Sequence, residues 1–460
     1  MTNWQPELES RSGPRYVAIA EALAEDIDQG RLAAGERLPT HRDLAWRLGV
    51  TVGTVSRAYA EAERRGLIAG EVGRGTFIRE RVPVDLPAQA ETDGDFIDLS
   101  FNFMQGHTED PALREALAEL SRDPALDRVL GYEMGLGQAT HRAAGAAWLG
   151  EMGLAAEAGE IAVTAGAQHA MQLAVSAVTR PGDVIMTEEL TYYGIKSIAA
   201  HRELRLHGLA MDEFGIQPEA LDAACRGTGA KTLYCIPTLQ NPTASVMPEA
   251  RRREIAEICK RHGVYVIEDD IYGFLPTEAP PPLTSHLPES GIYLTSLSKC
   301  VAPALRVGFL RCDAALLDRI GEALRATSLM ASPLTAEAAA RLIRDGRARR
   351  IALRQRREAE ARQQRAAETL PAGSYDSHPQ AYHLWLKLPE PWRREIFATE
   401  ARVRGVGIAP AEVFAVGRQP VPHAVRVCLQ SARSRDKAAR ALEILAGILA
   451  RPPASAFPLV

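Results

Sequence analysis

Residues 293–310 of this chain, YLTSLSKCVAPALRVGFL, decide the fold of its larger part. The run YLTSLSK (293–299) is rich in β-forming residues and predicts a strand, and RVGFL (306–310) predicts a second one. Lys299 stands at the end of the first predicted strand, and Arg306 follows seven residues later. Ligands bind at the carboxyl ends of strands in sheets that alternate with helices, so we expect Lys299 to lie in a ligand site.

Similar β-rich runs alternate with helical stretches upstream of this segment, from about residue 96. The alternation predicts a mostly parallel sheet covered by helices, which is an α/β architecture. After about residue 330 the sequence predicts a long helical stretch to about 369, and then a smaller α/β segment. The upstream predicted strands are IAVTAG (161–166), VIMTEE (184–189), TLYCIP (232–237) and VYVIEDD (264–270).

We therefore predict one domain over residues 96–450, with a large part at about 110–330, a small part at about 331–450 and a tail at 451–460. Ten arginines lie between residues 336 and 369. We expect them to form a charged face of the helix that links the two parts.

The first 80 residues differ in texture and predict three helices and a hairpin. Apolar residues at helical spacing indicate a helix over residues 16–30. Thr40 and Thr51 are suitable N-caps for two more helices, the first of which ends at Gly49. LIAGEVGRGTFIRE (67–80) alternates around a glycine-rich turn and predicts a β-hairpin. Together these elements form a winged helix-turn-helix.

This winged helix, predicted at residues 12–80 and followed by a linker at 81–95, carries a local excess of positive charge. The whole chain has a net charge of −4, which argues against a nucleic-acid binder whose entire surface is basic. Residues 37–79, however, contain eight arginines and four acidic residues, a net charge of +4. A basic face releases counterions when it meets phosphates, so this domain is predicted to bind double-stranded DNA.

The remaining composition is that of an ordinary globular chain. Its 460 residues suffice for two or three domains, and 46% apolar with 24% charged residues exclude a disordered or fibrous protein. The six cysteines are predicted to be reduced and buried, and neither they nor the histidines show a metal-ligand spacing. We expect a cytoplasmic protein, because the chain starts without an apolar signal region and has no run of ~20 apolar residues. Only six of the 54 basic residues are lysines, mainly through codon bias, so any lysine that a mechanism needs is one of six.

The run from Gly30 to Phe77, which includes GRLAAGERLPTHRDLAWRLGV and VGRGTF, resembles the GntR-type winged helix. The resemblance implies that the third helix enters the major groove of DNA with its N-terminal residues at the base edges. Many relatives begin that helix with Ser/Thr-Arg-x-Thr-Val, whereas this chain has TVGTV (51–55) and lacks the base-reading arginine. A packing module that only mediates dimer contacts is the alternative. The candidate DNA-binding residues are Arg42, Thr51, Thr54, Arg57, Arg74 and Gly75.

The larger part supplies the residue types that a pyridoxal 5′-phosphate (PLP) site requires. A lysine must bind the cofactor covalently and a carboxylate must pair with its pyridinium nitrogen, while amides, hydroxyls and an arginine hold its phosphate. Lys299, the acidic run IEDDIY (267–272), QNPT (240–243) and the glycine turn TAGAQHA (164–170) meet these needs. Burial lowers the pKa of a lysine, and a nearby cation lowers that of a carboxylate, so the ionic states suit the chemistry.

In this order and spacing the motifs resemble the fold type I aminotransferases of class I, over about residues 96–450. The resemblance implies that Lys299 forms the internal aldimine with PLP and that Asp269 faces the ring nitrogen. It also implies that Tyr272 and Asn241 contact the 3′ oxygen, and that Arg426, in VRVCLQSA, binds the carboxylate of an effector or substrate.

The same resemblance implies aromatic and phosphate-binding residues. Tyr192 would stack on the cofactor ring, with its neighbour Tyr193 as the alternative. Tyr132, in LGYEMGLG, would approach the phosphate bound by the partner subunit. The residues that would hold the phosphate within one subunit are Gly166, Ala167, Gln168, Ser296, Ser298 and Arg306.

A GntR-type winged helix followed by an aminotransferase-like domain resembles the MocR regulators over essentially the whole chain. The resemblance implies a multidomain, PLP-dependent transcriptional regulator that forms head-to-tail homodimers and senses PLP and an amino-acid effector through an aldimine at Lys299. Regulators that sense GABA, taurine or PLP commonly carry His-Gln-aromatic-Pro after the central strand, whereas this chain has TLQNP (238–242). Two other interpretations stay open: a catalytically active PLP-dependent aminotransferase with an accessory DNA-binding domain, and a pseudo-enzyme that binds no cofactor.

Overall fold

In the computed structural model the chain divides into two compact units, residues 1–94 with 417–422 and residues 95–416 with 423–460. The predicted linker, apart from its last residue, and most of the predicted tail lie outside the residues that the structure describes. Their boundaries therefore stay predictions. The structure describes residues 4–451, except for 7, 9–12, 29, 30, 34, 65, 66, 72–74, 79–94, 105–110, 125, 134, 418 and 419.

The N-terminal unit is a winged helix-turn-helix, as predicted. Thr40 Oγ1 accepts a hydrogen bond from the Asp43 main-chain N–H at 3.2 Å and caps the second helix, which ends at the left-handed residue Gly49. Thr51 Oγ1 accepts from the Thr54 N–H at 3.1 Å at the start of the third. The elements are α1 (Arg15–Asp28), α2 (His41–Leu48), α3 (Val52–Arg64) and the antiparallel strands β1 (Ile68–Glu71) and β2 (Gly75–Ile78).

The second unit contains a large sheet and a smaller one. Its strands are β3 (Ile97–Asp98), β4 (Ile161–Thr164), β5 (Val184–Glu188), β6 (Arg205–Leu209), β7 (Met211–Asp212), β8 (Gly215–Ile216), β9 (Thr232–Cys235), β10 (Tyr265–Asp269), β11 (Gly291–Ser296), β12 (Gly308–Arg311), β13 (Tyr375–Asp376), β14 (His383–Lys387), β15 (Val406–Gly407), β16 (Ala409–Pro410) and β17 (Ala424–Cys428). The large sheet has the order β4-β12-β11-β10-β9-β5-β6, and β12 alone runs antiparallel to its neighbours. The small domain contains the antiparallel sheet β13-β14-β17-β16. The predicted, mostly parallel sheet is confirmed.

Helices cover both faces of the large sheet. In the small domain, α14 and α15 pack instead in the core that contains β14 and β17. The helices of the second unit are α4 (Pro111–Leu120), α5 (Leu126–Val129), α6 (Ala139–Gly150), α7 (Ala167–Val178), α8 (Tyr193–His201), α9 (Pro218–Thr228), α10 (Glu249–His262), α11 (Ala314–Thr327), α12 (Pro333–Arg344), α13 (Arg347–Thr369), α14 (Arg394–Val403) and α15 (Arg435–Leu449). Neighbouring residues of one strand enter different cores: Ala162 packs with α7, α8 and α11, and Val163 packs with α6 and α12. This double coverage explains why β4, β9 and β11 are buried along their whole length.

Two elements differ from the predictions. The strand β6 was not among the predicted runs, because its sequence RLHGL contains no β-branched residue and it lies at an edge of the sheet. The long helix predicted to about 369 is two helices, since Gly346 adopts a left-handed conformation between α12 and α13.

The arginines of this segment do not all lie on a solvated face, which corrects the prediction. Arg347 is buried and donates two hydrogen bonds to the carboxylate of Glu119, at 3.1 and 2.8 Å. Arg362 is also buried and donates to the main-chain oxygens of Leu429 and Ala432. Both side chains thus fasten α13 to its neighbours.

Among the described residues, no helix is long and apolar enough to cross a membrane. Within the same residues, no group of three or more His, Cys, Asp or Glu side chains is placed to hold a metal ion. All six cysteines are buried and unpaired, which confirms their prediction as buried thiols.

Candidate ligand site and candidate nucleic-acid interface

Four loops of the large domain meet at one edge of the central sheet. Because β4, β9, β10 and β11 run in the same direction, their carboxyl ends lie along this edge. Gly166 lies between β4 and α7, Asn241 follows β9, and Asp269 ends β10. The prediction that Lys299 ends its strand is wrong by three residues. The strand β11 ends at Ser296, and Lys299 lies on the 3-10 turn Leu297–Lys299 that follows. The structure therefore brings these predicted residues together.

Lys299 is held at this edge by main-chain and side-chain contacts. Its Nζ donates a hydrogen bond to the main-chain oxygen of Asn102, and its own main-chain oxygen accepts one from the Tyr382 hydroxyl at 2.9 Å. Burial lowers the pKa of Lys299 to about 8, although the negative charge of Asp269 opposes this effect. About a tenth of this lysine is then neutral at pH 7. The neutral amine is the form that attacks a carbonyl group.

Asp269 is a buried carboxylate that has a donor at one oxygen and lacks one at the other. Its Oδ2 accepts a hydrogen bond from the Tyr234 hydroxyl at 2.7 Å, while its Oδ1 accepts none within the described part of the chain. Burial raises the pKa of Asp269 to about 6, and the hydrogen bond from Tyr234 and the charge of Lys299 act against this rise. A buried acceptor without a donor is unfavourable. The N–H of a protonated pyridine ring would supply the missing donor, so this position fits PLP.

Arg426 lies buried on β17 and reaches the residues of the large domain. Its Nη1 donates to Asn241 Oδ1 at 2.6 Å, and its Nη2 donates to the main-chain oxygen of Ser100 at 2.7 Å. The guanidinium carbon lies 4.5 Å from the centre of the Phe414 ring. The planar guanidinium group of an arginine offers two parallel donors to a carboxylate, and it therefore binds a carboxylate better than the ammonium group of a lysine does. The residue predicted to bind a carboxylate thus touches a residue predicted to bind the cofactor.

At the other end of the site, Gly166 and Arg306 lie against each other. Gly166 has φ +87°, and a Cβ atom there would lie 2.7 Å from Arg306 Nη2, so the position requires glycine. Arg306 Nη2 donates to the main-chain oxygen of Ala165 at 3.0 Å. Ala167 begins α7 directly after this turn. A helix N-terminus beside an arginine suits a phosphate group.

Serine and tyrosine side chains complete this end of the site. Ser298 Oγ is buried and makes no hydrogen bond within the described residues, and Ser296 Oγ accepts from the Ser298 N–H at 3.4 Å. Tyr192 donates to Gln168 Oε1 at 3.3 Å. Burial is the main cause of a raised pKa at both Tyr192 and Tyr193, and the charge of Arg426 opposes the rise at both. The choice between Tyr192 and Tyr193 as the residue that stacks on the cofactor ring stays a prediction.

Sequence reasoning missed several side chains and main-chain groups of the site. Tyr234 was not singled out, although it pairs with Ile267 across neighbouring strands, two residues before the acidic pair. Ser100, Asn102 and His383 belong to no motif and come from distant parts of the chain. Only the fold brings them to Lys299 and Arg426.

Five of the six candidate DNA-binding residues lie among the described residues, where three are exposed and Thr54 and Gly75 are half-buried. The side chains of Arg42, Thr51 and Arg57 are exposed, and the Thr51 and Thr54 hydroxyls lie 2.9 Å apart at the start of α3. Gly75 has φ +119°, and a Cβ atom there would lie 2.7 Å from Arg37 Nε. Arg74 lies outside the described residues. A shallow groove lies between α2 and the wing and is lined by Arg37, Leu38, Pro39, Thr40, His41, Arg42, Gly75 and Thr76.

Comparison with known proteins agrees with this division of the chain. The family "Aminotransferase class I and II" matches residues 94–445, and "Bacterial regulatory proteins, gntR family" matches residues 15–78. The chain is 30% identical to the uncharacterized HTH-type transcriptional regulator YjiR of Escherichia coli over 82% of its length and 86% of that protein. It is 28% identical to the regulator YdeF of Bacillus subtilis over 97% of both chains. The chain belongs to the HTH-type transcriptional regulators that carry a gntR-family domain and a class I and II aminotransferase domain.

This regulator therefore joins a DNA-binding winged helix to an aminotransferase-like domain of fold type I. A crystal structure of kynurenine aminotransferase from Pyrococcus horikoshii covers 78% of the regulator, with 91% of that chain covered, a TM-score of 0.71 and 24% identity, and so shows the fold. PLP is the cofactor of the class I and II aminotransferase family. The unpartnered Oδ1 of Asp269 and Oγ of Ser298 fit its ring nitrogen and its phosphate.

Proposed function

We propose that this regulator senses PLP together with an amino acid and changes its affinity for DNA in response. Lys299 would bind the cofactor covalently, and Arg426 would bind the carboxylate of the amino acid. When bound, PLP supplies an electrophilic carbon that reacts with amines. Asp269 keeps the ring nitrogen protonated, and Asn241 and Tyr272 face the 3′ oxygen. The phosphate of the cofactor would be held by the six residues predicted for it, which are Gly166, Ala167, Gln168, Ser296, Ser298 and Arg306.

One observation carries this proposal: the side chains of Lys299 and Arg426 both donate hydrogen bonds to the same short segment. The main-chain oxygen of Asn102 accepts from Lys299 Nζ, and that of Ser100 accepts from Arg426 Nη2. Lys299 must leave its acceptor to bond with PLP, and Arg426 must leave its acceptor to bind a carboxylate at both nitrogens. Residues 96–104, here called the strap, follow the predicted linker directly in the sequence. Ligand binding thus changes the contacts of the segment that is joined to the DNA-binding domain.

A ligand can shift a regulator only if it binds one arrangement better than another. The strap provides such a difference, because its two carbonyl groups and the ligand compete for Lys299 and Arg426. We propose that this exchange acts within a head-to-tail homodimer. Tyr132, whose side chain is 80% exposed, would reach the phosphate bound by the partner subunit.

On the DNA side, we propose that α3 enters the major groove. Thr51, Thr54 and Arg57 would face bases or phosphates, and Arg42 would contact the backbone from the start of α2. The wing, with Gly75 and the predicted contact Arg74, would approach the neighbouring groove. Arg42 and Gly75 line the groove between α2 and the wing, which supports this placement.

The test is a gel shift with the DNA upstream of the regulator's own gene, with and without PLP and candidate amino acids. We expect wild-type affinity to change when both ligands are present, and Lys299→Ala to bind DNA with an unchanged affinity that no longer responds. Lys260→Ala, at an exposed lysine paired with Glu257, is the matched control and should respond like wild type. A full ligand response in Lys299→Ala would refute the proposal.

Aminotransferase activity is a second candidate, favoured by the completeness of the site. Lys299, Asp269, Tyr272, Asn241 and Arg426 all lie together, so no residue that transamination needs is visibly missing. Incubation with a panel of amino acids and a keto acid separates the two functions. Spectral shifts without turnover support sensing, and turnover at ordinary enzymatic rates supports the enzyme. A protein that stays colourless after addition of PLP would contradict both.

A further inference from the structure

A buried chain of hydrogen bonds runs from the main-chain oxygen of Gln240 through His383 and Asn102 to Tyr272. His383 Nε2 lies 3.0 Å from the Gln240 oxygen, and His383 Nδ1 lies 3.2 Å from Asn102 Nδ2. Asn102 Nδ2 also lies 2.7 Å from the Tyr272 hydroxyl. The side chains of Asn102, His383 and Tyr272 are all more than nine-tenths buried.

The chemistry of each group fixes the direction of these hydrogen bonds. A main-chain oxygen can only accept, so His383 Nε2 must carry the hydrogen. Burial lowers the pKa of His383 to about 3, and the charges of Arg426 and Lys299 lower it as well, so the ring is neutral and Nδ1 is an acceptor. Asn102 Nδ2 carries two hydrogens and donates one to His383 and the other to Tyr272.

The Tyr272 oxygen therefore accepts a hydrogen bond, and its own hydrogen remains to be donated. Within the described part of the chain this hydrogen has no acceptor. If the Asn102 amide were turned over, its oxygen would take the tyrosine hydrogen instead. His383 opposes that orientation, because its Nδ1 would then lose its donor.

We infer that Asn102 and His383 are positioning residues that keep Tyr272 as a hydrogen-bond donor to the 3′ oxygen of the cofactor. The inference rests on the proposed binding of PLP to Lys299. A donor stabilises the negative 3′ oxygen most when the nearby nitrogen, which joins Lys299 to the cofactor, has lost its proton. It therefore lowers the pKa of that nitrogen. Further charged or titratable groups around Tyr272 include Arg426, Cys428, Asp269 and Tyr192, and the Tyr382 ring, whose centre lies 6.1 Å from that of Tyr272.

A double-mutant cycle on the full-length, PLP-loaded protein tests the role of Asn102 by spectral pH titration. Tyr272→Phe removes the donor and should raise the pKa of the bound cofactor by about one unit, a tenfold change in proton affinity. Asn102→Asp keeps the shape of the side chain but accepts the tyrosine hydrogen, and should raise that pKa at least as much. In the Tyr272→Phe background, Asn102→Asp should lose more than half of its effect, because no hydrogen remains to be diverted. An undiminished effect would show a through-space charge effect and overturn the inference.

Substitutions of His383 provide a second, independent readout. His383→Gln retains one acceptor and one donor and should keep the pKa close to that of wild type, whereas His383→Leu frees the Asn102 amide and should raise it. His141→Gln is the matched control, because His141 is also buried but contacts Glu337 outside the site, at 3.1 Å. An unchanged pKa in a folded His383→Leu protein overturns the inference. If His383→Leu does not fold, the cycle at Asn102 decides. If wild type gains no visible band with PLP, the proposed function fails first.

Discussion

The cofactor site and the DNA-reading surface of this regulator are built in opposite ways. At the site, Asp269, Arg426 and Tyr272 are buried and held by specific hydrogen bonds. On the winged helix, Arg42 and Arg57 are exposed. Buried polar groups are costly unless paired, so each residue of the site depends on its neighbours. Exposed residues carry no such constraint, which leaves the DNA-reading residues open to change without loss of the fold.

The largest effect should follow from the loss of a buried charge partner. Asp269→Asn removes the carboxylate that faces the ring nitrogen, and we expect PLP affinity to fall by about 100-fold or more, since breaking a buried ion pair costs roughly 3–5 kcal/mol. Spectrophotometric titration with PLP measures this change.

Asp270→Asn is the matched control for this substitution. Asp270 is as buried as Asp269 but accepts a hydrogen bond from the Tyr293 hydroxyl, at 2.7 Å. Its substitution should leave PLP affinity within a few-fold of wild type. Equal losses in both variants would show that Asp269 acts only through the stability of the fold.

The second-largest effect should be a pH dependence of the rate at which Lys299 reacts with PLP. Burial lowers its pKa to about 8, so the neutral fraction rises about tenfold per pH unit below that value and levels off above it. The rate at which PLP forms its visible band should therefore rise from pH 7 to about 8 and then become nearly constant. Nα-acetyl-lysine, with an ordinary pKa, provides the reference for free PLP. A rate that still rose tenfold per unit above pH 9 would contradict the lowered pKa.

The same contrast explains how far the sequence could predict this molecule. The winged helix, the mostly parallel sheet and the grouping of Lys299, Asp269 and Asn241 followed from local patterns, because caps, turns and strand ends are encoded by nearby residues. The partners Asn102 and His383 could not be predicted, because tertiary packing alone brings residues so far apart in the chain together. The break at Gly346 was missed because a single glycine within a helical pattern does not always end a helix.

A moderate effect is expected at the exposed DNA-reading surface. Arg42→Ala should weaken DNA binding several-fold on all sequences and reduce the salt dependence of the affinity by about one counterion. Val52→Arg should act in the opposite sense, because Val52 is 45% exposed and occupies the position of the base-reading arginine in many relatives. Binding measured at several salt concentrations checks both. Arg226→Ala, at an exposed arginine of the large domain, should change neither value.

The smallest effect should arise at Thr51, which is exposed like the DNA-reading residues but also makes a specific hydrogen bond within the fold. Thr51 is exposed, yet its hydroxyl accepts the Thr54 N–H and caps α3. Thr51→Ala should lower the free energy of unfolding of the winged helix by about 1 kcal/mol, whereas Thr51→Ser keeps the cap and should have little effect. The difference is measured by thermal unfolding of the full chain, in which proteolysis of the N-terminal domain monitors the unfolding of the winged helix. If Thr51→Ser restores stability but not DNA affinity, the methyl group of Thr51 contacts DNA; if it restores both, Thr51 serves the reading surface through the cap and its hydroxyl.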